Sequence, residues 1–162
     1  MEENKTPSRG PGVLIPPPLL FAMPLLTGFI VQHFVPTHIV NGVDPVRTLG
    51  AVGWAEIVIG LILTYWGIGT FKRMQTPVFP VYPARLLVQE GPYRFTRNPM
   101  YLGFSVLYLG ICFVANALWP LVFLPEAIAL TYLLAIKREE AYLTREFGDA
   151  YREYCKRVRR WI

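Results

Sequence analysis

Apolar residues in this chain gather into long unbroken runs instead of recurring at the spacing that gives a helix one wet and one dry face. Residues 13–35 carry no formal charge, residues 49–71 carry only Glu56, residues 100–115 carry none, and residues 117–136 carry only Glu126. A helix rising 1.5 Å per residue needs ~20 apolar residues to cross about 30 Å of hydrocarbon. The pattern therefore predicts an all-α protein, an integral membrane bundle of four transmembrane helices forming a single domain over residues 1–162. Pro16, Pro17 and Pro18 stand at the beginning of the first run, where a missing backbone donor costs least, so regular helix is expected from near Leu19. The third run is the shortest. The turn after it, residues 116–119 before Pro120, is so tight that the third and fourth helices should form an antiparallel hairpin.

The polar positions supply an orientation. Four spans put both termini on one side together with residues 72–99, and leave residues 36–48 and the turn at Asn116 on the other. Of the 16 Lys and Arg, Arg47 alone falls on that second side. Cytoplasmic loops are enriched in Lys and Arg, so the termini, residues 72–99 and residues 137–162 are expected to be cytoplasmic. Lys5 and Arg9 before the first run imitate a signal peptide, but the run is too long and lacks a small-residue cleavage site, so it is expected to be retained.

Composition agrees with a bilayer and narrows the partners. The chain is 53% hydrophobic with only 17% charged residues, more apolar surface than a soluble globule of 162 residues can hide. A net charge of +5 would suit nucleic acid, but the same Lys and Arg are explained by membrane orientation, and no nucleic-acid partner is expected. Cys112 and Cys155 show no paired spacing for a disulfide or a metal, His33 and His38 both lie on the far side, and no metal site is expected.

Two polar segments carry the candidate chemistry. The first, residues 87–103, reads LVQEGPYRFTRNPMYLG and immediately precedes the third span. Glycine and proline there impose a turn, and Arg94 and Arg97 are permanent cations able to fork onto carboxylates or hydroxyls. Taken alone, the segment could equally be a positively charged loop with interfacial tyrosines. The second follows the fourth span: Lys137, Arg138, Glu139 and Glu140, then AYLTREFGDAYREYCKRVRRWI. Helix is expected to continue to Phe147 and end at Gly148, a natural C-terminal cap. That puts Glu139 and Glu140 about one turn above the membrane surface, opposite the arginine-bearing loop. A plain surface pairing would explain each segment separately; together they place two acids and two bases around one pocket mouth.

The order GPYR, RNPMY, a span, a tight hairpin, then REEAYLTREFGDAYREY resembles the isoprenylcysteine carboxyl methyltransferase and phospholipid methyltransferase family, over about residues 71–161. Members carry G-x-Y-x-x-x-R-[HN]-P-x-Y and, downstream, E-E-x-x-L-x-x-x-F-G-x-x-Y-x-x-Y. The resemblance implies S-adenosylmethionine held between the last hairpin and the tail, with no Rossmann domain. By position, Leu87 and Val88 would meet the adenine, Tyr93, Asn98, Pro99, Met100 and Tyr101 would line the cofactor, and Glu139 would take its ribose or amino group. Arg97 and Glu140 would brace that shell; with Glu126, singled out by its depth in the fourth span and not by the resemblance, they are the candidate catalytic residues. Two positions depart from the carboxyl-methylating members: Asn98 stands where they have histidine, and Ala135 where they have an arginine for the substrate carboxylate. Cofactor binding thus carries over better than acceptor identity, which stays open among an isoprenylcysteine-like carboxylate or thiol, a phospholipid amine and a small hydrophobic metabolite.

Displacement at a sulfonium methyl needs alignment and exclusion of water, and no covalent nucleophile. Two other readings remain at this point: a nicotinamide-dependent reductase related to the longer sterol reductases, and a non-enzymatic membrane scaffold. Glu126 lies about 15 Å inward from the end of the fourth span, where a carboxylate is expensive. It is expected to face the bundle interior on the same stripe as Glu140, either as a structural protonated group or as part of the acceptor cavity.

Overall fold

The computed structural model describes residues 10–162, and among these every regular element is helical. Helix α1 spans Pro17–Phe34, α2 Val43–Arg73, α3 Pro99–Val114, α4 Leu118–Thr131 and α5 Lys137–Arg157, with a single 3-10 turn at Gly91–Arg94. A π turn at Tyr132–Ile136 joins α4 to α5, so the two run on as one long helix, Leu118–Arg157. That helix, α1 and α2 are each long and apolar enough to cross a membrane, and α3 is a shorter apolar helix. The molecule is a helical membrane bundle.

Helix α1 starts two residues ahead of Leu19, because Pro17 and Pro18 occupy its first positions and their fixed φ is already helical. Helix α2 extends further back than the apolar run, to Val43. Asp44 sits in its first turn, against the positive end of the helix dipole, and the Thr48 hydroxyl donates to the Asp44 carbonyl at 3.0 Å. The expected connection of residues 36–48 is therefore shorter, and Arg47 belongs to the helix.

The hairpin helices pack less on each other than on their outer neighbours: α3 lies chiefly along α2, and α4 chiefly along α1. Small residues cause this. Gly53 and Gly60 of α2 face Gly110 and Gly103 of α3 so closely that a Cβ on Gly60 would stand 2.7 Å from the Gly103 carbonyl oxygen, and one on Gly53 2.7 Å from that of Gly110. Backbone-to-backbone approach is how helices gain packing contacts where no hydrophobic effect drives them together. Across the bundle, the buried Tyr108 hydroxyl of α3 donates to the Pro120 carbonyl of α4 at 2.8 Å.

At the end away from residues 72–99, Asn116 adopts a positive φ of 47° and clamps the neighbouring loop. Its side-chain oxygen accepts the N–H groups of Ile39 and Val40, both at 3.1 Å, and its amide donates to the Val40 carbonyl. At the other end, α5 bends at Gly148, with φ 51° and ψ −121°, and then resumes helix to Arg157. The expected stop is a bend. It folds the tail back so that Tyr151, Tyr154 and Val158 pack against Leu87 of the loop.

Candidate functional site

A cavity of about 270 Å³ opens where the loop, the start of α3 and α5 converge. Small-molecule sites run from roughly 300 to 1,000 Å³, so this one approaches the lower end of that range. Leu87, Val88, Tyr93, Arg97, Asn98, Pro99, Met100, Tyr101, Glu139 and Glu140 all line it. The structure thus brings together, in one place, every residue of the two polar segments to which the resemblance gives a role; Arg94, the second base expected at the pocket mouth, is exposed and does not line the cavity.

The local geometry follows from the loop's own sequence. Gly91 takes a φ of 58°, and a Cβ there would press on the Trp66 and Thr70 side chains of α2, so the loop can lie on that helix only through a glycine. Pro92 then starts the 3-10 turn that buries Tyr93 against Phe71, with ring centroids 5.1 Å apart. The Tyr93 carbonyl accepts from the Tyr154 hydroxyl at 2.7 Å, tying loop to tail, while the Tyr93 hydroxyl is buried with no partner among the described residues. An orphaned buried hydroxyl in a cavity wall calls for a partner from within the cavity, a water or a bound molecule.

Glu139 sits opposite. Its Oε1 accepts from the Tyr101 hydroxyl at 2.5 Å. The residue keeps some exposure through the cavity mouth, but protein encloses the carboxyl itself. Loss of water pushes its pKa up to about 7, the Tyr101 hydrogen bond pulls against that rise, and the neighbouring Glu140 adds to it.

Glu140 is held by two guanidinium groups. Arg160 forks onto it, Nε to Oε1 at 2.8 Å and Nη2 to Oε2 at 2.9 Å, and Arg97 Nη1 stands 3.2 Å from Oε1. Arg97 Nη1 also donates to Cys155 Sγ at 2.8 Å and lies 3.4 Å from the Tyr151 hydroxyl. The loop then grips the tail by its backbone: the Arg97 N–H donates to the Arg159 carbonyl, and the Thr96 hydroxyl and Asn98 amide both donate to the Arg160 carbonyl at 3.0 Å. Asn98 therefore has its amide nitrogen turned toward the tail. Arg97 and Glu140 touch one another and the tail, which makes them positioning residues in this arrangement.

On the membrane side the lining turns apolar, with Pro17 and Pro18 of α1, Ile68 and Phe71 of α2, and Met100 and Phe104 of α3. The polar mouth thus continues into a greasy interior.

Glu126 lies elsewhere. It is exposed on the outer face of α4 and does not line the cavity; Pro120, Ala127 and Thr131 are the inward residues of that helix. The expectation that it shares a stripe with Glu140 assumed a straight α-helix. The π turn at Tyr132–Ile136 inserts one extra residue and turns everything beyond it by about 100°, which carries Glu140 onto a different face.

Several lining residues carry only weak signals in the sequence. Tyr151 and Tyr154 stand at the two tyrosine positions of the downstream motif, which is the available signal for them, whereas Tyr142, whose hydroxyl accepts the Ala84 N–H at 2.9 Å, occupies a position the motif leaves unspecified. Arg160 is one cation among several in a basic tail. Pro11 reaches the cavity only through the fold. Ala135 is fully buried in the core and does not line the cavity.

A family model described as phospholipid methyltransferase matches residues 48–150. The chain is 38% identical over 78 residues to the protein-S-isoprenylcysteine O-methyltransferase of Schizosaccharomyces pombe, covering 45% of this chain and 31% of that protein. It is 28% identical over 116 residues to a probable protein-S-isoprenylcysteine O-methyltransferase of Oryza sativa subsp. indica, covering 66% of this chain and 57% of that protein. A stretch of 27 residues is 59% identical to an uncharacterized protein of Haemophilus influenzae, 17% of this chain and 43% of that one. The chain spans about a third of the yeast protein it matches and little more than half of the rice protein.

Proposed function

The chain belongs to the phospholipid methyltransferase family, and from that premise we propose that it transfers a methyl group from S-adenosylmethionine to a lipophilic acceptor at the cytosolic face of the membrane. The observation that carries the reading is the single cavity in which an enclosed carboxyl, an unpartnered tyrosine hydroxyl and an apolar floor meet.

The lining suits the cofactor. Leu87, Val88 and Tyr93 offer apolar and aromatic contact for an adenine, Glu139 accepts hydrogen bonds from a ribose diol or attracts an ammonium, and the Tyr93 hydroxyl and Asn98 side chain supply further polar contacts. Bound there, S-adenosylmethionine supplies an electrophilic methyl group on a sulfonium. The chain's own part is to hold and to shield. Tyr101 fixes Glu139, the Arg97, Glu140 and Arg160 cluster fixes the loop to the tail, and the apolar lining keeps water away from the reacting centre. Alignment of two reactants in a dry site accounts for much of what such a displacement needs. Pro17, Pro18, Ile68, Phe71, Met100 and Phe104 line the side from which a greasy acceptor enters between helices. The charge distribution along the chain supports a cytosolic mouth, where the cofactor is made.

Titration of S-adenosylmethionine against the detergent-solubilised protein tests the reading. Wild type binds, and Glu139→Ala or Tyr101→Ala weakens binding at least about tenfold, or ~1.4 kcal/mol, without loss of fold. Unchanged affinity in both variants overturns the site, and binding of a nicotinamide cofactor in place of S-adenosylmethionine replaces the transferase with a reductase.

A further inference from the structure

Outside that cavity, on the far side of α4, a second and more open groove of about 460 Å³ is lined by Pro125, Ile128, Ala129, Tyr132, Arg160 and Trp161. One end of it is cationic. The Arg160 guanidinium lies 5.1 Å from the centre of the Tyr132 ring and the Lys137 ammonium 5.6 Å from the same point, both within the roughly 6 Å over which a ring face attracts a cation. The π turn is what places Lys137 there: its N–H donates to the Tyr132 carbonyl, five residues back, so residue 137 stacks over residue 132. Arg160 uses Nε and Nη2 on Glu140 and has its Nη1 hydrogens unpaired among the described residues. Lys137 is exposed and makes no ion pair among the described residues.

The other end of the groove is greasy. Pro125, Ile128 and Ala129 lie further into the span, and Glu126, about 9 Å inward from Tyr132 along the helix, is at acyl-chain depth and well away from the cations. Two cations and an aromatic pair, Tyr132 and Trp161, at the membrane surface, continuing into an apolar trough, form a surface complementary to one molecule class. We propose that this groove is a binding site for an anionic phospholipid, with the headgroup phosphate between Lys137 and Arg160 and an acyl chain along Pro125, Ile128 and Ala129. The inference rests on the helices spanning a membrane and is independent of the reaction at the cavity.

The full chain reconstituted in bilayers of phosphatidylcholine with a minor share of phosphatidylglycerol, then extracted gently and weighed by native mass spectrometry, tests the proposal. Wild type retains phosphatidylglycerol above its share of the bilayer, Lys137→Ala lowers that enrichment about fivefold, the effect of one basic residue at an anionic surface, and Lys137→Arg preserves it. Lys137 is solvent-facing and outside the cavity, so the variant keeps its fold. Retention in proportion to the bilayer, or enrichment unchanged in Lys137→Ala, overturns the proposal. Displacement of the retained lipid by millimolar inorganic phosphate also overturns it, since the groove would then be a site for a free anion and not for a lipid.

Discussion

Glu139 is an acid placed to act as an acceptor at a pH where most glutamates are already ionised. With its pKa raised to about 7 by burial, only a minority of the free protein carries the carboxylate at pH 6 and most of it does at pH 8. The carboxylate is the form that accepts from both hydroxyls of a diol, so affinity for S-adenosylmethionine should rise with pH, by about tenfold from pH 6 to pH 8, and binding near neutrality should release a proton. Calorimetry in buffers of different ionisation enthalpy measures both. Glu139→Gln should bind with no pH dependence over that range; a wild-type affinity that is flat between pH 6 and 8 would show that Glu139 does not titrate in the binding step. At this scale the resemblance of the two motifs, and not polarity alone, singled out Glu139, Tyr93, Tyr101 and Asn98, and the fold brings the four to one cavity. The sequence failed at Glu126, whose direction depended on one extra residue in the helix. It passed over Arg160 and the Tyr154 contact to Tyr93, which come from residues distant in the chain.

Helix α2 offers a comparison between glycines of opposite role. A methyl group at Gly60 would stand 2.7 Å from the Gly103 carbonyl and 2.7 Å from the Leu107 nitrogen, both backbone atoms that cannot step aside, whereas Gly69 faces open space. Gly60→Ala should therefore cost about 1–3 kcal/mol through forced separation of α2 and α3. Gly69→Ala should be neutral or stabilising by up to ~1 kcal/mol, the ordinary gain in helix propensity. Thermal denaturation in detergent distinguishes them, and equal melting temperatures for the two variants would remove the case for close glycine packing. The elements were legible because a charge-free run of about 20 residues has the length and polarity that crossing a bilayer demands. Their partners were not. Which helix pairs with which is decided by Gly53, Gly60, Gly103 and Gly110 meeting at facing positions, and nothing local to either run announces it. Gly148 shows the same limit: a glycine after a helical run marks a change of direction, but only the packing of Tyr151 and Tyr154 on Leu87 decides that helix resumes.

For the molecule as a whole, orientation is the expectation that the distribution of Lys and Arg carries. With Cys112 and Cys155 replaced by alanine, cysteines introduced at the exposed positions Glu90 and Asp149 should be protected from an impermeant thiol reagent in intact cells, and one at Asn41 should be labelled. The reverse pattern would put the cavity mouth outside, away from the supply of cytosolic cofactor. The cavity is closed on one side by the tail, which residues 96–98 grip through the Arg159 and Arg160 carbonyls. During synthesis, the residues of every span are joined before those two carbonyls exist. A ribosome-bound chain at that stage has an open-sided cavity and a Glu140 served by only one of its two arginines. The cavity therefore takes its closed shape only after the residues of all its helices have been joined, and its last wall is supplied by the last part of the chain that touches it.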